Sequence, residues 1–159
     1  NWVLSVYLHD VVEHANLHLS TMSNGRYRLA VQDSPSSQVG QHGLDLVVDD
    51  AHTGRVRSSM SLSGGETFQA SLALALGLAD VVMLGRAGLH LDALFVDEGF
   101  GSLDADAIDQ AITVLDGLRS RGSMVGVITH VEALKNALPV AIDVQPRVDH
   151  RGSEIRQVA

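Results

Sequence analysis

"SLSGGETFQASLALALGLAD", residues 61–80, sets two adjacent glycines, Gly64 and Gly65, between a serine and a glutamate and follows them at once with an apolar run. The run from Phe68 to Leu78 reads as core helix, so the glycines stand at its mouth. The first four N–H groups of a helix have no partner inside it, and the aligned peptide dipoles leave partial positive charge there. With no Cβ on Gly64 or Gly65, a ligand oxygen can approach the backbone, and Ser63 offers a hydroxyl; such an end suits a phosphate. Ser63 to Glu66 also spells a capping box, a serine cap with a glutamate three positions on. Taken alone, the glycine pair favours the cap.

Further along the chain, "LDALFVDEGFGSLD" (residues 91–104) holds a short apolar run, Ala93 to Val96, that ends in two carboxylates. So short and continuous a run suits a strand buried on both faces of a parallel sheet. Apolar residues followed by Asp97 and Glu98 form a Walker B pattern, in which Asp97 holds Mg²⁺ and Glu98 orients and deprotonates an attacking water. In isolation the pair reads equally as solvated acids. "MVGVITH" (124–130) is a second buried strand, with His130 where parallel sheets gather their ligands; in isolation, His130 reads as a structural residue. Three such features, each at an element end and in this order, point away from coincidence.

The rest of the chain supplies the frame. Apolar positions at Val3, Leu4, Tyr7, Leu8, Val11, Val12, Ala15 and Leu19 give an amphipathic helix over residues 2–20, closed by Asn24 and Gly25. "RYRLAV" (26–31) and "LDLVVDD" (44–50) read as strands at a sheet edge, joined by the polar loop "QDSPSSQVGQHG", with Asp49 and Asp50 marking a turn. A helix over 105–120 ends at Gly122, a short one spans Val131 to Ala137, "AIDVQP" is a third strand, and residues 153–158 add an edge hairpin. Strand, helix, strand, helix, strand implies an α/β domain with a parallel sheet. Met60, Met83 and Met124 are expected in the core. His14 and His18 have the spacing of a metal pair but lack an HExxH glutamate, so a solvated helix face is the expectation.

Composition narrows the function. At 159 residues the chain has the size of one domain, and without cysteine it has no disulfide or thiolate metal site. A net charge of −8, with Lys135 the single lysine, offers no basic face for direct DNA binding. No uninterrupted apolar stretch has membrane-spanning length and no secretory signal opens the chain, so it reads as soluble and cytoplasmic. It starts on Asn1 rather than methionine, which reads as a piece of something longer.

These motifs resemble those of the ATP-binding-cassette ATPases: "LSGGE" (Leu62 to Glu66) is similar to the signature motif, "ALFVDE" (Ala93 to Glu98) to Walker B, "SLD" (Ser102 to Asp104) to the D-loop and "ITH" (Ile128 to His130) to the switch histidine. Within that superfamily "SLSGGETFQASLALALGLAD", "LDALFVDEGFGSLD" and "GVITHVEALK", with "AN" at 15–16 and "GRYRL" at 25–29, resemble SbcC-type SMC-like DNA repair ATPases over nearly the whole chain. The resemblance implies the carboxyl-terminal half of a P-loop NTPase head, a parallel-sheet core with flanking helices. No GxxxxGK[ST] is present, so the Walker A lobe is missing; the family supplies it from an amino-terminal lobe of the same protein across a long coiled coil. Residues 1–20 would be the root of the returning coil and 21–159 the lobe itself.

The resemblance further implies ATP and Mg²⁺ as cofactors, a dimer of two SbcC-like heads sandwiching ATP, an SbcD-like nuclease partner, and DNA bound through the complete complex, with no membrane. Asp97 would hold the metal and, with Glu98, act on the head's own nucleotide, and His130 would contact the γ-phosphate and help report its presence. Ser63, Gly64, Gly65 and Glu66 would engage the nucleotide of the opposite head, and Ser102, Leu103 and Asp104 would lie at the dimer interface. Two other readings stand beside this one: a transporter-type ATPase subunit, disfavoured by the sequence after the signature, and a catalytically silent SMC-like module, disfavoured by the presence of both Asp97 and Glu98.

Overall fold

The computed structural model describes residues 2–34, 43–85, 90–147 and 152–158. Helix α1 (Trp2–Met22) is followed by three antiparallel strands, β1 (Tyr27–Ser34), β2 (Gly43–Asp50) and β3 (Arg55–Ser58), and by helix α2 (Gly64–Gly85). Then come β4 (Ala93–Asp97), α3 (Ala105–Ser120), β5 (Met124–Ile128), the short α4 (Glu132–Ala137), β6 (Ala141–Pro146) and β7 (Ser153–Val158). β4 and β5 pair in parallel, with Asp97 opposite Ile128, while β6 and β7 form an antiparallel hairpin.

One core joins the four helices with β1, β2, β4 and β5. α1 lies along α2 and also touches β1 and α3. Its Val12, Ala15, Leu19 and Met22 are buried with Ala70, Leu72, Ala73 and Leu76 of α2, Tyr27, Leu29 and Val48 of the antiparallel sheet, and Ile108, Ala111 and Leu115 of α3. The two long helices meet at Gly77, where a Cβ would stand 2.5 Å from both the Val11 carbonyl oxygen and the Ala15 nitrogen. Asn16 stitches α1 to β1: its amide donates to the Leu29 carbonyl at 2.9 Å, and its oxygen accepts the Leu29 N–H at 2.7 Å. In doing so it stands in for a neighbouring strand. Asn24 and Gly25, both in the left-handed region (φ 50° and 74°), turn the chain out of α1, and the Gly25 N–H caps the Ser20 carbonyl at 2.7 Å.

Several expectations need correction. β6 pairs with β7 and not with the parallel strands, so the parallel sheet among the described residues has two strands. The segment around 26–50 is not the edge of that sheet but part of a separate antiparallel one, whose third strand, β3, is short and alternates charge with apolar residues too sparsely to read as a strand. The loop "QDSPSSQVGQHG" is shorter than expected, since β1 reaches Ser34 and β2 begins at Gly43; residues 35–42 lie outside the described residues. β4 is not buried on both faces: Val96 is buried, but Phe95 is 65% exposed, its ring laid against Gly126 of β5. Met60 and Met124 are exposed, Met83 is half-buried, and Met22 is the core methionine.

The histidine expectation changes too. His18 faces Asp80 of α2 at 2.7 Å, and both are mostly buried, with Arg121 at 3.7 Å from the other Asp80 oxygen. The expected solvated face is an interhelical polar contact. α2 itself, at 22 residues with mean hydropathy 1.7 over its most apolar stretch, is long and apolar enough to cross a membrane by length and composition. Part of that apolarity goes into packing against α1. Gly77→Ala should force the two helices apart and lower unfolding stability by about 2–3 kcal/mol, read by chemical denaturation.

Candidate functional site

The start of α2 forms the capping box that the sequence allows. The Glu66 N–H donates to Ser63 Oγ at 3.4 Å, the Ser63 N–H donates to Glu66 Oε2 at 2.8 Å, and the Thr67 N–H reaches the Ser63 carbonyl at 2.8 Å. The cap does not use up Ser63. Ser63 Oγ uses a lone pair in the box, and its own hydroxyl proton has no partner among the described residues. Ser63 and Gly64 are exposed and Gly65 half-buried, which leaves the opening of the helix accessible.

Glu66 has a role that sequence did not give. Its Oε1 accepts hydrogen bonds from the Tyr27 hydroxyl and from Arg57 Nη2, the latter at 3.2 Å. Arg57 also lies 3.7 Å from Asp50, a buried carboxylate held by Arg26 through Nε and Nη2 at 3.2 Å each. Two guanidinium groups flank the Tyr27 ring, at 4.7 Å for Arg26 and 5.6 Å for Arg57. Burial pushes the Glu66 carboxyl up, but hydrogen bonds from Tyr27, the Ser63 N–H and Arg57, with the Arg57 charge, outweigh it and hold the group at about 2. Tyr27 moves the other way, raised to about 12 by burial and by its bond to Glu66. Arg26 holds Asp50 below its ordinary range. The turn expected at Asp50 is present, and the same residue is a buried ionic anchor for it. A cavity of about 470 Å³ opens beside this network at the edge strand β3, lined by Arg26, Arg55, Arg57 and Ser61 among others.

The second half of the site lies beyond β4. Asp97 is the last residue of the strand and is exposed; Glu98 follows with φ 57° and Gly99 with φ 92°. The Glu98 N–H donates to the Ile128 carbonyl at 3.0 Å, and the side chain meets His130 Nδ1 at 3.1 Å through Oε2. The parallel pairing of β4 with β5 therefore brings Glu98 and His130 together across 32 residues. Phe100 to Ser102 form a 3₁₀ turn whose Ser102 hydroxyl closes on the Gly99 carbonyl at 2.8 Å, and Asp104 caps α3 by accepting the Ala107 N–H at 2.8 Å.

The two halves touch. A Cβ on Gly65 would stand 2.7 Å from the Ser102 carbonyl and 3.3 Å from Leu103, and Phe68 of α2 packs edge-on against Phe100 at 4.7 Å between ring centroids. A groove of about 380 Å³ is lined by Ser63, Gly65, Glu66, Ser102, Leu103 and Asp104, with residues of α1 and α3. Glu98 and His130 are not among its lining residues. The candidate residues thus divide into a groove at the signature and D-loop segments and a carboxylate–histidine pair at the strand ends.

Asp97 fits Mg²⁺: it is an exposed, hard oxygen donor, and Mg²⁺ is commonly held by one or two carboxylates with phosphate and water completing the shell. Among the described residues no group of three or more metal-ligating side chains exists.

Comparison with known proteins bears on the family and the fold. Residues 40–117 match the family model for the SbcC/RAD50-like Walker B motif. The SbcC component of the SbcCD nuclease of Treponema pallidum is 47% identical over 156 residues, which are 98% of this chain and 15% of that protein; the chain thus spans about a seventh of the relative's length. Its counterpart in Staphylococcus aureus is 46% identical over 145 residues, 91% of this chain and 14% of that protein. Among solved structures, a chain from work on ATP-driven dimerization and DNA-stimulated activation of SMC ATPases superposes with TM-score 0.74 at 16% identity, covering 99% of this chain and 88% of that one. The Smc head domain with a coiled coil and joint from Pyrococcus yayanosii gives 0.72 at 17% identity, over 96% and 27%.

The network at Glu66 has a pH signature. A carboxyl depressed from 4.5 to about 2 stabilises the fold fully above its unfolded value and loses that contribution as pH falls from 4.5 towards 2. Glu66→Gln should therefore flatten the acid limb of the stability profile below pH 4.5, measured by denaturant unfolding at a series of pH values; an unchanged acid limb would remove Glu66 as its source.

Residues 40–117 thus belong to the SbcC/RAD50-like Walker B family, and the chain as a whole has the α/β fold seen in SMC heads.

Proposed function

We propose that the chain is the carboxyl-terminal lobe of the ATPase head in an SbcC-like subunit of a complex that processes DNA ends and hairpins. The observation that carries this reading is the Glu98–His130 contact at the carboxyl ends of two parallel strands, next to an exposed Asp97. In a head completed by a Walker A lobe, Glu98 accepts a proton from the attacking water and His130 holds the carboxylate in place from the neighbouring strand. Bound Mg²⁺ supplies charge neutralisation at the phosphates, and Asp97 is the residue that would hold it. Residues 1–20 serve as the root of the coil.

Ser63 and the N–H groups at the start of α2 serve the nucleotide of a second head. Support comes from the division of the site: the helix mouth opens into a groove that lacks Glu98 and His130, and the Ser63 hydroxyl proton is unengaged among the described residues. Glu66, placed by sequence at the nucleotide, acts in this reading by holding the cap from beneath. Ser102 to Asp104 border the same groove and lie where a second head would dock. The Treponema relative is named as part of a nuclease, SbcCD, which supports an SbcD-like nuclease partner and DNA as the substrate of the assembly. ATP-driven dimerization and DNA-stimulated activation, named for the SMC ATPases of the structural match, support the head dimer.

In the complete subunit, Glu98→Gln should reduce ATP turnover by about 100-fold or more while an ATP-bound head dimer accumulates, measured by phosphate release and by mass. Turnover at the wild-type rate would remove Glu98 from the chemistry. Ser63→Arg should abolish ATP-dependent dimerisation by filling the space a phosphate needs; dimerisation as in wild type would contradict the contribution to a second head.

A further inference from the structure

Glu98 has a left-handed backbone, φ 57°, that a glutamate rarely adopts. Such a conformation persists when its surroundings over-determine it. Three contacts do so. The Glu98 N–H is fixed to the Ile128 carbonyl. Gly99, at φ 92°, is closed over by the Ser102 hydroxyl on its carbonyl. The third contact comes from outside the strand-end turn: the Phe68 ring lies so close that a Cβ on Gly99 would be 2.2 Å from Cδ2 and 2.3 Å from Cε2, while the ring edge packs on the fully buried Phe100.

Phe68 belongs to α2, one helical turn after Gly64 and Gly65. The first turn of that helix also rests on the same turn of chain, because Gly65 approaches the Ser102 carbonyl too closely for any side chain. The mouth of the signature helix and the turn that carries Glu98 are therefore in direct contact at two points.

We infer that Phe68 is a positioning residue for hydrolysis: its ring clamps the Glu98–Gly99 turn and couples the helix that engages the second head's nucleotide to the carboxylate that acts on the first. The inference rests on the proposed roles of Glu98 and Ser63. A small displacement of α2, once a phosphate is seated at its mouth, moves the ring and with it the backbone at Gly99. Without the ring, a void opens beside Gly99 and Glu98 can relax towards the right-handed region, away from its aligned position. Phe68 makes no contact with nucleotide in this scheme; it acts through Glu98.

The test uses the complete subunit with ATP and follows single-turnover hydrolysis in dimers already closed, beside dimer affinity and melting temperature, for wild type, Phe68→Ala, Phe68→Leu and Glu98→Gln. In closed dimers, Phe68→Ala should hydrolyse about tenfold more slowly and Phe68→Leu about threefold, with dimer affinity within about twofold of wild type. Hydrolysis at the wild-type rate in closed Phe68→Ala dimers would overturn the inference, as would a loss that only tracks the folded fraction. Should Phe68→Ala fail to fold, Phe68→Leu decides alone, and no loss there overturns it. If Glu98→Gln is silent while both Phe68 variants are fast, this inference falls and the assignment of Glu98 stands; if Glu98→Gln hydrolyses normally, both fall.

Discussion

The placement of α2 governs the molecule. Its middle is fixed by contact with α1, where Gly77 lets two helix backbones meet without a side chain between them. Close backbone approach of this kind fixes both the distance and the crossing of two helices, because packed interiors resist displacement. With its middle fixed, the helix can yield only slightly at its amino-terminal end, and the candidate site is arranged around that end. The antiparallel sheet reaches it through Arg57 and Tyr27, the strand-end turn through Phe100 and Ser102, and α1 through the Met22 carbonyl, which accepts from the buried Gln69 amide at 2.8 Å.

Electrostatics and packing divide the work at this helix mouth. On one side Glu66 is held by donors from the antiparallel sheet and by the backbone of Ser63, so the cap is tied to the charged network of that sheet. The negative charge of Glu66 would oppose an anion at the mouth; Arg57 offsets it locally. On the other side the contacts are apolar, and there the chain uses two glycines, Gly65 and Gly99, to bring segments closer than side chains permit.

Much of this is legible in the sequence because the relevant signals are local. The capping box, the apolar run before Asp97 and Glu98, the helix over 105–120 and the strand ending near His130 all depend on neighbours within a turn or a strand. What escapes depends on partners far apart in the chain. Tyr27 meets Glu66 across 39 residues and His18 meets Asp80 across 62, and no spacing rule reports either. Asn16 looks like an ordinary helical residue until β1 lies beside it, although the pair "AN" is one of the marks of the family resemblance. Phe68 reads as one more apolar residue in a core helix, since only the positive φ of Gly99 gives its ring special meaning. β6 is misplaced by sequence reasoning because sequential order suggests a continuing parallel sheet, whereas its pairing with β7 follows from a hairpin completed at the far end of the chain.

The exposed side of β4 and β5 has a bearing on handling the molecule. Phe95, Met124 and Ile128 present apolar surface on a parallel ladder of two strands, an arrangement seldom left open to water. Uncovered, such a face recruits copies of itself. Colloidal behaviour at rising concentration thus becomes a gauge of how well that side is covered: a preparation in which it is sheltered stays monodisperse, and a bare one clouds.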